Sequence, residues 1–104
     1  ITNGFKEVQI PKLRASGLDK YFENVIISEE AGCKKPDPGI FIYSLDKTNA
    51  KASDSLMIGD DIEVDIIGAR NAGIDQVFIN YYNQLHEEEI TYEIYEMEEL
   101  KKIL

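Results

Sequence analysis

The chain has 104 residues, a net charge of −9 and 43% hydrophobic residues, the balance of one small soluble globular unit with room for a single core. An acidic chain of this kind makes a poor partner for a nucleic-acid polymer or an anionic membrane, and no apolar run approaches the ~20 residues of a membrane span. The single cysteine, Cys33, excludes an internal disulfide and suits a reducing, cytoplasmic setting.

The opening Ile1-Thr2-Asn3-Gly4 reads as the end of a strand entering a turn, and a chain that begins in mid-motif is expected to be cut from something longer. From Phe5 to Ser16 the spacing of Phe5, Val8 and Leu13 predicts a helix with one apolar face, bent or delayed by Pro11 and stopped at Gly17. Val25-Ile26-Ile27 has the length of a short buried strand. Pro36-Asp37-Pro38 opens a helix to about Asn49, with Phe41 and Leu45 on a shared face. Ser55 to Ile58 is expected as a strand, and Gly59-Asp60-Asp61 turns it into a helix over 62–72 whose inner face is Ile62, Ile66 and Ala69, ended by Gly73. Gln76 to Ile79 is another strand, 80–91 a loop, Tyr92 to Tyr95 a short edge strand, and Met97 to Leu104 a last helix. Seven glutamates fall in positions 87–99, so the acidity is largely that of a solvated C-terminal face.

Strands alternating with helices imply an α/β chain with a doubly wound parallel sheet, in which ligands bind at the carboxyl ends of the strands. Thr2-Asn3-Gly4, the stretch from Ser28 to Lys35, and Gly59-Asp60-Asp61 are all expected at that edge. Asp60 projects from a strand end, with Asp65 about a helical turn further on, and carboxylates so placed suit a hard cation such as Mg²⁺. The competing reading is helix capping, for which Asp61 is the strongest candidate of the three. Lys35, held by the following Pro36, can neutralise a phosphate, whereas Lys34 reads as a surface lysine. Thr2 and Asn3 sit where a strand hands over to a helix start, a natural anion site that capping residues would equally occupy.

Thr2-Asn3-Gly4, then Lys35-Pro36-Asp37-Pro38, then Gly59-Asp60-Asp61 with Asp65, followed by Gly68-Ala69-Arg70-Asn71-Ala72-Gly73, resembles the second, third and fourth motifs of the haloacid dehalogenase-like hydrolases, from Ile1 to about Asn80. The resemblance implies that the chain is the C-terminal portion of one Rossmann-like core domain. It implies a Mg²⁺-dependent phosphomonoesterase acting on a phosphorylated small molecule through an aspartyl-phosphate. Thr2 would bind the transferring phosphoryl group with the Asn3 and Gly4 amides nearby, and Lys35 would bridge it to the nucleophile. Asp60 would ligate Mg²⁺, Asp65 would act behind it, and the role of Asp61 stays open.

The superfamily's first motif, Asp-x-Asp-x-Thr, which supplies the nucleophile, does not occur before Thr2. The chain alone is therefore expected to be inactive, with the place of the central first strand and the cap left to an N-terminal fragment or a swapped copy of itself. The stretch from Thr2 to Gln9 is similar to that of bacterial 5′-nucleotidase-like members. A non-catalytic scaffold of the same fold is the alternative, and a receiver-type signalling domain fits less well because its acidic pair comes first. A nucleotide-binding P-loop is excluded by the absence of its glycine-lysine motif.

Overall fold

In the computed structural model, residues 1–104 form two compact units, 1–50 and 51–104. Each is built from the elements that its residue pattern favours.

In the first unit, Thr2 and Ile27 form a parallel bridge: the Thr2 amide donates to the Ile26 carbonyl at 2.9 Å, and the Ser28 amide to the Thr2 carbonyl at 3.0 Å. The expected strand at 25–27 is thus reduced to one bridging position, because the chain turns at once into the short helix α2 (Ser28–Ala31). Helix α1 (Lys6–Ser16) runs without interruption through Pro11 and ends at Gly17. Its expected apolar face is covered only in part: Leu13 is half-buried, while Phe5 and Val8 are 65% and 57% exposed, and no residue of α1 is fully buried. Helix α3 (Pro38–Thr48) starts at Asp37, whose carboxylate accepts the Gly39 amide at 2.7 Å, with Pro38 in the first turn where its missing donor costs nothing. Its inner face is Ile40, Phe41 and Ser44, one position away from the expected pairing of Phe41 with Leu45. The Ser44 hydroxyl is satisfied by the Ile40 carbonyl at 2.7 Å. With Ile26 and Ile27 these residues make up the buried part of the unit.

The second unit is a three-stranded parallel sheet in the order β1 (Leu56–Gly59), β2 (Asp75–Ile79), β3 (Tyr92–Ile94). The central strand explains itself. Asp75 aside, β2 is buried throughout and carries a near-continuous apolar run, as a parallel strand covered on both faces requires. Phe78 packs with Ile62 and Ile66 on one face, while Val77 and Ile79 pack with Ile94, Leu100 and Ile103 on the other. A 3₁₀ turn, Met97–Lys102, takes the place of the expected last helix and brings Leu100 to that second face.

Between β1 and β2 the expected helix is present with a difference. Its first part, Ile62–Ile67, is a π-helix, and only Gly68–Asn71 (α4) is α-helical. The Asp61 carbonyl accepts both the Asp65 amide at 2.9 Å and the Ile66 amide at 3.2 Å, so the first turn is widened. Such widened turns cluster at functional sites. Ile62, Ile66 and Ala69 form the buried face as expected. No helix of the chain is long and apolar enough to cross a membrane.

Candidate active site

The residues singled out by sequence fall into two groups, one in each unit. In the first unit, the Thr2-Asn3-Gly4 turn is joined to Lys35 through the Asn3 side chain. Its Oδ1 accepts the Lys35 amide at 2.8 Å and its Nδ2 donates to the Lys35 carbonyl at 3.1 Å. A side-chain amide used this way imitates a strand partner and fixes the main chain from which the lysine side chain leaves. The Lys35–Pro36 peptide bond that follows is cis. The turn itself is tied by Ser28, whose hydroxyl accepts the Gly4 amide at 2.8 Å and donates back to the Gly4 carbonyl at 3.2 Å. Gln9 of α1 donates to the Asn3 carbonyl at 3.0 Å.

Gly4 is the residue this geometry demands. Its φ is +144°, and a Cβ there would lie 3.2 Å from Gln9 Cγ. The Gly4 amide, expected as a phosphate donor, is engaged by Ser28. Ser28 and Gln9 hold the turn, roles that the sequence does not assign: it places Ser28 only at the start of the stretch expected at the sheet edge, and Gln9 only within the first helix. An open cleft of about 570 Å³ lies along Asn3, Gly4, Ser28, Cys33 and Lys34. Thr2, Asn3, Gly4 and Lys35 are all half-buried.

In the second unit the carboxylates gather at the carboxyl end of β1. Asp61 is the cap: its Oδ1 accepts the Val64 amide at 2.9 Å. Asp65 is 6% exposed, and its Oδ2 accepts the Asp61 amide at 3.3 Å. The widened turn brings Asp65 back against Gly59, so closely that a Cβ on Gly59 would come within 2.6 Å of Asp65 Cγ. That approach explains the glycine at the strand end. Asp60, between them, is exposed.

Three or more His, Cys, Asp or Glu side chains are nowhere gathered as a metal cage. The donor set still fits Mg²⁺, which takes oxygen ligands and often only one or two protein carboxylates, the remainder being water and substrate. Asp60, exposed directly after the strand end, and Asp65, buried and hydrogen-bonded to the Asp61 amide, are donors of that type.

A parallel sheet with carboxylates just beyond the end of one strand is the arrangement of the Rossmann-like folds, whose ligands bind at that edge. The comparisons with known proteins name the family. The haloacid dehalogenase-like hydrolase family matches residues 1–73. The pyrimidine 5′-nucleotidase YjjG of Escherichia coli is 39% identical over 107 residues, covering all of this chain and 48% of its own length. The glyceraldehyde 3-phosphate phosphatase of Pyrococcus furiosus is 39% identical over 106 residues, covering all of this chain and 44% of its own. The crystal structure of the putative hydrolase YfnB of Bacillus subtilis, bound to magnesium, superposes with a TM-score of 0.94 at 35% identity, over 99% of this chain and 46% of that one. The chain belongs to the haloacid dehalogenase-like hydrolases. It spans about half the length of the curated relatives it matches.

Proposed function

We propose that the chain supplies the phosphate-binding and cation-binding side of a Mg²⁺-dependent phosphomonoesterase. Its substrate would be a phosphorylated small molecule, with nucleoside 5′-monophosphates as the first class to test. The observation that carries this reading is the carboxylate nest at the end of β1, where Asp65 is buried against Gly59 and leaves Asp60 exposed. When bound, Mg²⁺ would offset the charge of the phosphate oxygens. Asp60 would be its direct carboxylate ligand and Asp65 would hold the turn behind it. Thr2 would hydrogen-bond the phosphoryl group, and Lys35 would neutralise it with a cation whose main chain is fixed by Asn3. The reaction would pass the phosphoryl group to a carboxylate nucleophile outside these 104 residues and then to water.

The edge of the sheet supports a partner segment. β1 pairs with β2 on one side only. Parallel strands normally sit covered and paired, so we infer that β1 takes a further strand, from a preceding segment or from a second copy of the chain. The relatives YjjG and the Pyrococcus phosphatase are named for a nucleotide and a sugar-phosphate substrate respectively, which sets the first two arms of a substrate panel.

The test is a phosphate-release assay on a fusion of this chain to the N-terminal half of the E. coli relative, over a panel of phosphomonoesters with and without Mg²⁺. We expect activity that needs the metal and falls on the order of 100-fold in Asp60→Ala. Activity that survives both metal removal and the substitution would take Asp60 out of the cation site.

A further inference from the structure

The connection from β2 to β3 is unusual in its construction. Neighbouring parallel strands need a return crossover of a dozen or so residues, usually a helix. Here residues 80–91 make the return with no regular structure, and polar side chains tie them down. The Asn80 side chain clamps Gln84 at both of its groups, at 2.7 and 2.9 Å. Arg70 of α4 donates to the Glu89 carbonyl at 2.9 Å and to the Glu88 carboxylate at 3.0 Å. The Thr91 hydroxyl accepts the Gln76 amide at 3.0 Å.

At the centre of the crossover stands His86, the sequence's single histidine. Its side chain is 15% exposed and meets Phe78 edge-on, with the ring centroids 5.5 Å apart. Nδ1 accepts the Glu88 amide at 3.1 Å, and Nε2 pairs with Glu93 Oε1 of β3. The Tyr95 hydroxyl donates to the other Glu93 oxygen at 3.0 Å. This partner set defines the ring's state. A nitrogen that accepts from an amide carries no proton, so Nδ1 is bare and Nε2 carries the hydrogen donated to Glu93. A second proton has only Nδ1 to occupy, and there it would face the Glu88 N–H. Protonation therefore removes one tie of the ring while charging, and so strengthening, the other.

We propose that His86 is a proton-operated clasp: the neutral ring holds residues 87–91 to β3, and protonation at Nδ1 releases the Glu88 amide and loosens that arm while the ring stays on Glu93. The charged groups around the ring are Glu93 and Tyr95 from β3 and its end, and Glu88, already paired with Arg70, from the arm itself. Glu99 lies beyond, holding the Tyr95 amide at 2.6 Å, while β2 presents the uncharged Phe78, followed by the uncharged Asn80 just past the strand end. Desolvation, the largest single influence, pushes the Glu93 carboxyl up, but the hydrogen bonds from His86, Tyr95 and Asn80 and the positive charge of a protonated His86 together bring it below the usual glutamate range. Ile90, on the same arm, packs against the cluster of Ile62, Ile66 and Phe78.

With one histidine in the chain, its ring ¹⁵N signals are unambiguous. They are followed together with the hydrogen-exchange protection factor of the Glu88 amide from about pH 8 to about pH 5. We expect an unprotonated Nδ1 at the upper end, then a fall in Glu88 protection of roughly ten-fold as the ring takes its proton, with Val77 and Phe78 protection unchanged. In His86→Gln the Glu88 protection should be flat over the same range. A hydrogen on Nδ1 at the upper end, or ring titration with Glu88 protection steady to within two-fold, would overturn the proposal.

Discussion

The two units hold their candidate site residues by different physical means. In the first, the turn at Thr2-Asn3-Gly4 and the main chain of Lys35 are laced together by side-chain hydrogen bonds from Asn3, Ser28 and Gln9, and the adjoining α1 has no fully buried residue. In the second, the carboxylates follow a strand whose neighbour is packed on both faces, and Asp65 is pressed onto Gly59 with no room for a methyl group. Lacing leaves a site adjustable and sensitive to single polar groups. Packing makes a site rigid and couples it to the stability of the core. On the proposed reading, the first device would suit a lysine that meets a mobile phosphoryl group, and the second a carboxylate pair that keeps its spacing around a cation.

Substitutions can break or sharpen this contrast. The largest effect is expected from Phe78→Ala, which empties the centre of one sheet face and should cost about 3–5 kcal/mol in urea unfolding. Gly59→Ala should cost about 1–3 kcal/mol, because the new methyl displaces a buried carboxyl that cannot move without breaking the turn. Asn3→Ala removes both ties to Lys35 and should cost about 1–2 kcal/mol, with Lys35 amide exchange accelerated. If Asn3→Ala proved as disruptive as Phe78→Ala, the contrast between lacing and packing would fail. Acidification acts more weakly. Because Glu93 is depressed in the folded chain, its support is complete above the ordinary carboxylate range and is lost as pH falls through the depressed value. A Glu93→Gln variant should therefore lose part of the acid-side slope of stability against pH. Smallest of all, Val8→Ser on exposed α1 should change stability by no more than about 0.5 kcal/mol.

The legible part of the molecule is the part governed by local chemistry. The three parallel strands, the apolar face of Ile62, Ile66 and Ala69, the start of α3 near Pro38 and the capping role of Asp61 all follow from spacing and residue type. What stayed hidden depends on tertiary approach. Ser28 reaches Gly4 across 24 positions and Asn3 reaches Lys35 across 32, and neither residue type announces such a partner. The π-turn arises because the Asp61 carbonyl takes two amides at once, a geometry with no signature in the pattern of apolar residues. Phe5 and Val8 have helical spacing and yet are exposed, since periodicity tells which residues share a face and not whether anything covers it.

The most direct test of the division of labour is the Mg²⁺ dependence of phosphate release by the fused chain, compared between Asp60→Asn and Lys35→Ala. Asp60→Asn should raise the Mg²⁺ concentration needed for half-maximal rate by at least roughly ten-fold. Lys35→Ala should leave that concentration nearly unchanged and lower the rate on the order of 100-fold. Equal shifts in metal requirement for the two variants, or none for Asp60→Asn, would contradict it.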